Sequence, residues 1–109
     1  MDIVESETGE GLQLALGGDL DIYSVAEVHA RVAEALQQSA SLVLDLSGVD
    51  NIDGAGLQLL MAGKRAAAHD GKALHLAQHS ACVIEALELC QLERFFGDPL
   101  VIRPKGGKR

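Results

Sequence analysis

LVLDLSGVDNIDGAGLQLL, from Leu42 to Leu60, decides how the chain is read. Leu42 to Leu46 form a short, nearly continuous apolar run, the pattern of a central strand covered on both faces of its sheet. A polar, glycine-containing corner follows. From Gly56 the residues Leu57, Leu60 and Met61 recur at helical spacing, and the helix continues through KRAAA. Gly71, in the HDGK that follows, can take the left-handed conformation that ends a helix. A strand that turns sharply into a helix is the repeating unit of an α/β fold. The corner, residues 50 to 56, then lies outside the carboxyl end of its strand, where open α/β sheets gather function.

Upstream, Ile3 and Val4 mark a short strand, TGEG supplies turn residues, and Leu12, Leu14 and Leu16 alternate as in a strand with one buried face. These two runs predict a hairpin. After GGDLD, Ser24 and Glu27 have the spacing of a capping box, and Val25, Val28, Val32 and Leu36 form a helical stripe. Downstream, ALHLA reads as another strand and Ser80 as an N-cap. Val83, Ile84, Leu87 and Cys90, with Leu92 as an extension, read as the inner stripe of a third helix. DPLVIRP is too short to place. The elements predict one α/β domain over residues 1–103, a small mixed four- to five-stranded sheet with three to four helices, and a flexible basic tail at 104–109.

The totals narrow the function classes. A chain of 109 residues is one domain, able to bury roughly 65 % of the surface its unfolded form exposes. The formal net charge of -7, with basic residues gathered only in the RPKGGKR tail, argues against nucleic-acid binding, which draws its affinity from clustered Lys and Arg. Tyr23, Phe95 and Phe96 are the whole aromatic supply, too few for a base-stacking platform. No stretch approaches the ~20 apolar residues of a membrane span, and the acidic start is unlike a signal peptide. A cytoplasmic protein is expected. Cys82 and Cys90 fall in one predicted helix, about 12 Å apart along its axis at ~1.5 Å per residue, and read as buried thiols in a reducing compartment.

The corner matches no nucleotide-binding pattern. A P-loop needs a hydroxyl after its Gly-Lys, whereas Arg65 and Ala73 follow Gly63-Lys64 and Gly71-Lys72. A dinucleotide fingerprint needs a third glycine, which the run from Gly54 to Leu59 lacks. His75 and His79 straddle a strand and its exit, so their spacing of four does not align two metal ligands, and both read as surface or partly buried side chains. His69 sits at a helix end and His29 on a polar helix face. No serine lies in a nucleophile elbow, and neither cysteine has a base placed beside it by a known motif. Asp50 and Asp53 read as turn-formers and an N-cap rather than as an acid and base pair. No cofactor and no metal are expected.

GDLD before the first helix, the stretch from Leu42 to Leu60, and GKALHLAQHS before the last helix together resemble the STAS domain, the fold of bacterial anti-sigma factor antagonists. The likeness runs over about residues 10 to 97. It implies a non-catalytic regulatory domain for partner switching, signal transduction and transcription regulation, which binds a GHKL-type anti-sigma kinase around the start of the second helix. In partner-switching members the kinase phosphorylates a D-[ST]-[ST]-G motif. Aligned on this chain, the aspartate is Asp53, the second position Gly54, the phosphorylated position Ala55 and the glycine Gly56. The acceptor hydroxyl is missing. Ser47 and Ser80 read as turn or cap residues rather than replacements.

The resemblance thus implies an antagonist that is permanently unphosphorylated, with Asp21, Asp50, Asn51, Asp53, Ala55 and Gln58 as its partner-binding surface and Gly54 and Gly56 shaping it. The same family includes subunits of chemotaxis systems and of lipid-transport ATPase complexes, which form the alternative. A small-ligand sensor using the corner is a third reading, and the Gly-Ala-Gly run is equally explained by close packing. An edge strand in the first hairpin leaves a homodimer open.

Overall fold

A computed structural model describes residues 1–9 and 11–96. Its elements run β1 (Asp2–Thr8), β2 (Gly11–Leu20), α1 (Val25–Gln38), β3 (Ser41–Ile52), α2 (Gly54–His69), β4 (Ala73–Ala77), α3 (Ala81–Leu89) and α4 (Glu93–Phe96). The four strands form one sheet in the order β1-β2-β3-β4, with β1 antiparallel to β2 and the other pairs parallel. The predicted hairpin, the three longer helices and the mixed sheet are all present. DPLVIRP and the basic tail lie outside the described residues.

Register shows how the core is made. Leu12 pairs with Leu42 and Leu42 with Leu74, while Leu14 pairs with Leu44 and Leu44 with Leu76, so leucines form rows across three strands on one face. All six are buried, and each contributes roughly 1.5–3 kcal/mol by leaving water. From α1, Val28, Val32, Ala35 and Leu36 pack into this face, and from α2, Leu57, Leu59, Leu60 and Ala67. The opposite face carries Gln13, Val43 and His75 in one row and Ala15, Asp45 and Ala77 in the next. These are half-buried or exposed. The expectation of a central strand covered on both faces is therefore corrected: β3 alternates, and Val43 merely adds an apolar residue to its outer side.

The second helix ends as read. Gly71 takes φ +71°, its N–H reaches the Ala68 carbonyl at 3.1 Å, and the Lys72 N–H reaches that of Ala67 at 2.8 Å, which is a Schellman motif. Four local readings are corrected. Ser24 precedes α1 but makes no capping bond, because its φ of -111° and ψ of -11° are helical where a capping side chain needs an extended backbone. Its buried hydroxyl instead donates to the Asp19 carbonyl at 2.8 Å and accepts the Asp21 N–H at 3.1 Å. Cys90 is exposed as the C-cap of α3 and Cys82 is only half-buried, so they are not a pair of buried helical thiols. Leu92 lies beyond the helix, partly buried against the core. His79 is 1 % exposed, not a surface residue.

β1 is an edge strand, and Asp2, Glu5 and Glu7 place charges along it, a pattern that discourages edge-to-edge pairing. Glu5 also meets Arg31 of α1 at 3.3 Å. Both side chains are about a third exposed, so Arg31→Ala is expected to cost no more than ~1 kcal/mol, measured by chemical denaturation.

Candidate functional site

The carboxyl ends of β2 and β3 lie side by side, Asp19 opposite Asn51 and Leu20 opposite Ile52. Asp50 and Asn51 belong to β3, which continues through the polar residues that read as a loop in the sequence. The strand persists because β2 extends with it, through register shifts between Ala15 and Gly17 and between Gly18 and Asp19. Asn51 Nδ2 donates to Asp19 Oδ1 at 2.9 Å, tying the two strand ends together.

Asp53 organises the rest. Its Oδ1 accepts the Gly56 N–H at 2.9 Å, capping α2, and its Oδ2 accepts the Ile22 N–H at 3.2 Å from the connection between β2 and α1. Its own N–H donates to the Leu20 carbonyl at 3.3 Å. One carboxylate thus holds a helix start and a neighbouring loop in a single arrangement. Asp21 closes a second local turn by accepting the Tyr23 N–H at 3.0 Å. Asp53→Ala removes the cap and the cross-link together and is expected to cost about 1–2 kcal/mol, seen as a fall of several degrees in the melting midpoint.

The predicted residues do converge here. Asp50, Asn51, Asp53, Gly54 and Gln58 are exposed, while Asp21 and Ala55 are half-buried. Gly56 is buried: a Cβ there would overlap the Leu20 carbonyl oxygen and stand 2.9 Å from Ile52 Cγ1. Around Gly54 nothing lies within 4 Å. Close packing therefore explains one glycine of the Gly-Ala-Gly run and not the other.

Sequence reasoning missed three neighbours: Asp19, and the exposed apolar pair Ile22 at 61 % and Tyr23 at 93 %. The signal for that pair was an isoleucine and the chain's one tyrosine standing in a strand-to-helix connection. Beside them an apolar groove of about 450 Å³ separates the two helices, with Val25, Ala26 and His29 of α1 facing Ala55, Gln58, Leu59 and Ala62 of α2. His29, read as a polar-face residue, lines it.

The remaining hydroxyls and histidines lie elsewhere. Ser47 donates its N–H and Oγ–H to Asp45 Oδ1 at 2.9 and 2.8 Å, and Ser80 Oγ lies 3.4 Å from Cys82 Sγ. His75 is exposed on β4 and His79 buried beyond it, so the two do not share a surface. No helix among the described residues is long and apolar enough to cross a membrane.

Comparison with known proteins agrees with this architecture. The anti-sigma factor antagonist SpoIIAA in its unphosphorylated form superposes with a TM-score of 0.72 at 17 % identity, covering 91 % of this chain and 89 % of that one. SpoIIAA of Bacillus in its phosphorylated form gives 0.67 at 18 % identity, over 91 % and 92 % of the two chains. An anti-sigma factor antagonist from Thermotoga maritima gives 0.76 at 20 % identity, over 84 % and 80 %. Mglu, a larger protein, matches 67 % of this chain at 25 % identity and a TM-score of 0.60, and the chain spans only 18 % of its length. These likenesses establish a common fold. The family described as "Mlab, STAS domain" matches residues 3–102, and with that span the chain belongs to the STAS domain family.

Proposed function

We propose that the domain is a non-catalytic protein-docking module whose contact surface is the mouth of α2, formed by Asp21, Asp50, Asn51, Asp53, Ala55 and Gln58 with Ile22 and Tyr23 beside them. The carrying observation is the bonding of Asp53. Both its oxygens accept backbone N–H groups, so it serves as the clamp of a rigid surface rather than as an acid or base. Ala55 stands half-buried at the second helical position, where the family's partner-switching members carry their phosphorylated hydroxyl. A phosphate there would meet free amides and the positive end of the helix dipole. Alanine offers nothing to modify, so docking is not switched at this residue.

In the leading reading the partner is a GHKL-type anti-sigma kinase in a bacterial cytoplasm, and the domain is its constitutively competent antagonist. The missing hydroxyl supports a second reading equally well: a structural subunit of a chemosensory or lipid-transport ATPase assembly, where no switch is needed. Capture from the native lysate with wild-type protein and Ala55→Asp side by side, read by mass spectrometry, tests the proposal. Recovery of a kinase by the wild type alone supports the antagonist; recovery of transporter or chemosensory subunits supports the scaffold; identical recoveries from both proteins overturn the surface.

A further inference from the structure

We propose that the groove between α1 and α2 receives a cationic amphipathic helix of the partner, a reading that rests on docking at the mouth of α2 and identifies what docks. Shape is the first argument. Beyond the wider opening at Ala55 the groove narrows and continues between the same helices to Ala66, with His29, Leu59 and Ala62 common to both parts. The distance from Ala55 to Ala66 is about 16 Å at ~1.5 Å per residue, enough for three turns of an incoming helix. Alanines on both walls leave the floor apolar and shallow, suited to a row of aliphatic side chains at i, i+3 and i+4.

Charge selects the occupant. At the open end the exposed Ile22 and Tyr23 stand with Asp21 and Asp53, which accept their N–H groups, and Asp19 lies at the adjoining strand end. Among the described residues no Lys or Arg forms an ion pair with any of these carboxylates. The lysines and arginines between positions 31 and 72 are committed elsewhere. Arg31 pairs with Glu5 and Glu34, Lys64 and Lys72 donate to the carbonyls of Leu74 and Leu36, and Arg65 lies over the Phe95 ring. An apolar trough ringed at its mouth by carboxylates that no described Lys or Arg pairs with favours a helix with aliphatic residues on one face and lysine or arginine flanking them, and repels an acidic one.

The probe is a helical peptide made only of leucine and lysine, about 14 residues and so about four turns long, titrated into the isotope-labelled full chain. The expected result is that amide shifts concentrate at Ala55, Gln58, Leu59 and Ala62 and on the facing residues of α1. Ala62 is exposed, so Ala62→Arg leaves the fold intact by circular dichroism while weakening the peptide roughly tenfold, by bulk and by charge. Raising ionic strength from about 0.01 M to 0.15 M, which shortens the screening length from ~30 to ~8 Å, weakens it further. A leucine and glutamate peptide of equal length does not bind. Shifts centred on the acidic edge of β1, equal binding of the acidic peptide, or indifference to Ala62→Arg each overturn the groove. The native partner separates the two proposals: lost with Ala55→Asp but kept with Ala62→Arg, it leaves the docking surface standing and removes the groove; kept with both, it removes both.

Discussion

Gly56→Ala is expected to lower stability by about 2 kcal/mol, while Gly54→Ala changes it by no more than ~0.5 kcal/mol. The two glycines are two residues apart at the start of the same helix, so helix propensity does not separate them. Surroundings do. A methyl group at 56 overlaps the Leu20 carbonyl, which also accepts the Asp53 N–H, and it crowds Ile52 and Leu20 side chains. A carbonyl within a paired strand cannot rotate aside, so α2 must lift off the sheet, and the helical gain of up to ~1 kcal/mol for replacing glycine offsets only part of that. Thermal melts of the two variants check this, with an expected fall of roughly 8–16 °C for Gly56→Ala. Equal midpoints for both variants would show that the close approach of α2 to β2 is not as described.

The larger functional effect belongs to Ala55→Asp. A carboxylate at the second helical position suits the dipole, worth about 0.3–1 kcal/mol, which offsets repulsion from Asp53 and keeps the fold. At an interface the same carboxylate must be desolvated on the apolar wall of the groove, against the aliphatic face of a docked helix rather than its flanking cations, costing about 2–5 kcal/mol of binding. Affinity for the captured partner is therefore expected to fall at least roughly thirtyfold, with the melting midpoint unchanged within a few degrees. Ala55→Ser changes neither property by itself.

Much of the fold was legible because its leucines are regularly spaced. Leu12, Leu14 and Leu16 announce one buried face, Val28, Val32 and Leu36 one helical stripe, and Gly71 the end of α2. What stayed hidden has physical reasons. Val43 made a one-sided strand look two-sided. Ser47, Gly48, Asp50 and Asn51 disguised the end of β3, because there backbone pairing with β2 continues the strand while only Val49 turns a buried side chain to the core. Ser24 followed the capping pattern, yet its hydroxyl found a strand carbonyl instead, a tertiary contact no local motif contains. His79 is buried through the packing of the turn between β4 and α3, which its neighbours in sequence do not reveal.

The site was half legible for a related reason. Asp53 and its neighbours could be placed on the corner by a motif, and Asp53 proved to be the cap. The bond from Ile22 to Asp53 spans 31 residues, and only folding brings Ile22, Tyr23 and Asp19 to the same rim. The groove is less legible still, being a property of two helices whose small residues look unremarkable in each alone.

The docking proposed for the rigid mouth of α2 is open to test with purified components. Titration calorimetry of the partner purified by capture, against wild type, Ala55→Asp and Gly54→Ala, tests it most directly. The expected result is that wild type and Gly54→Ala, both folded, bind with affinities within a few fold of each other, while Ala55→Asp, equally folded, loses at least roughly thirtyfold. Undiminished binding by folded Ala55→Asp would contradict it and move the contact surface to another part of the domain.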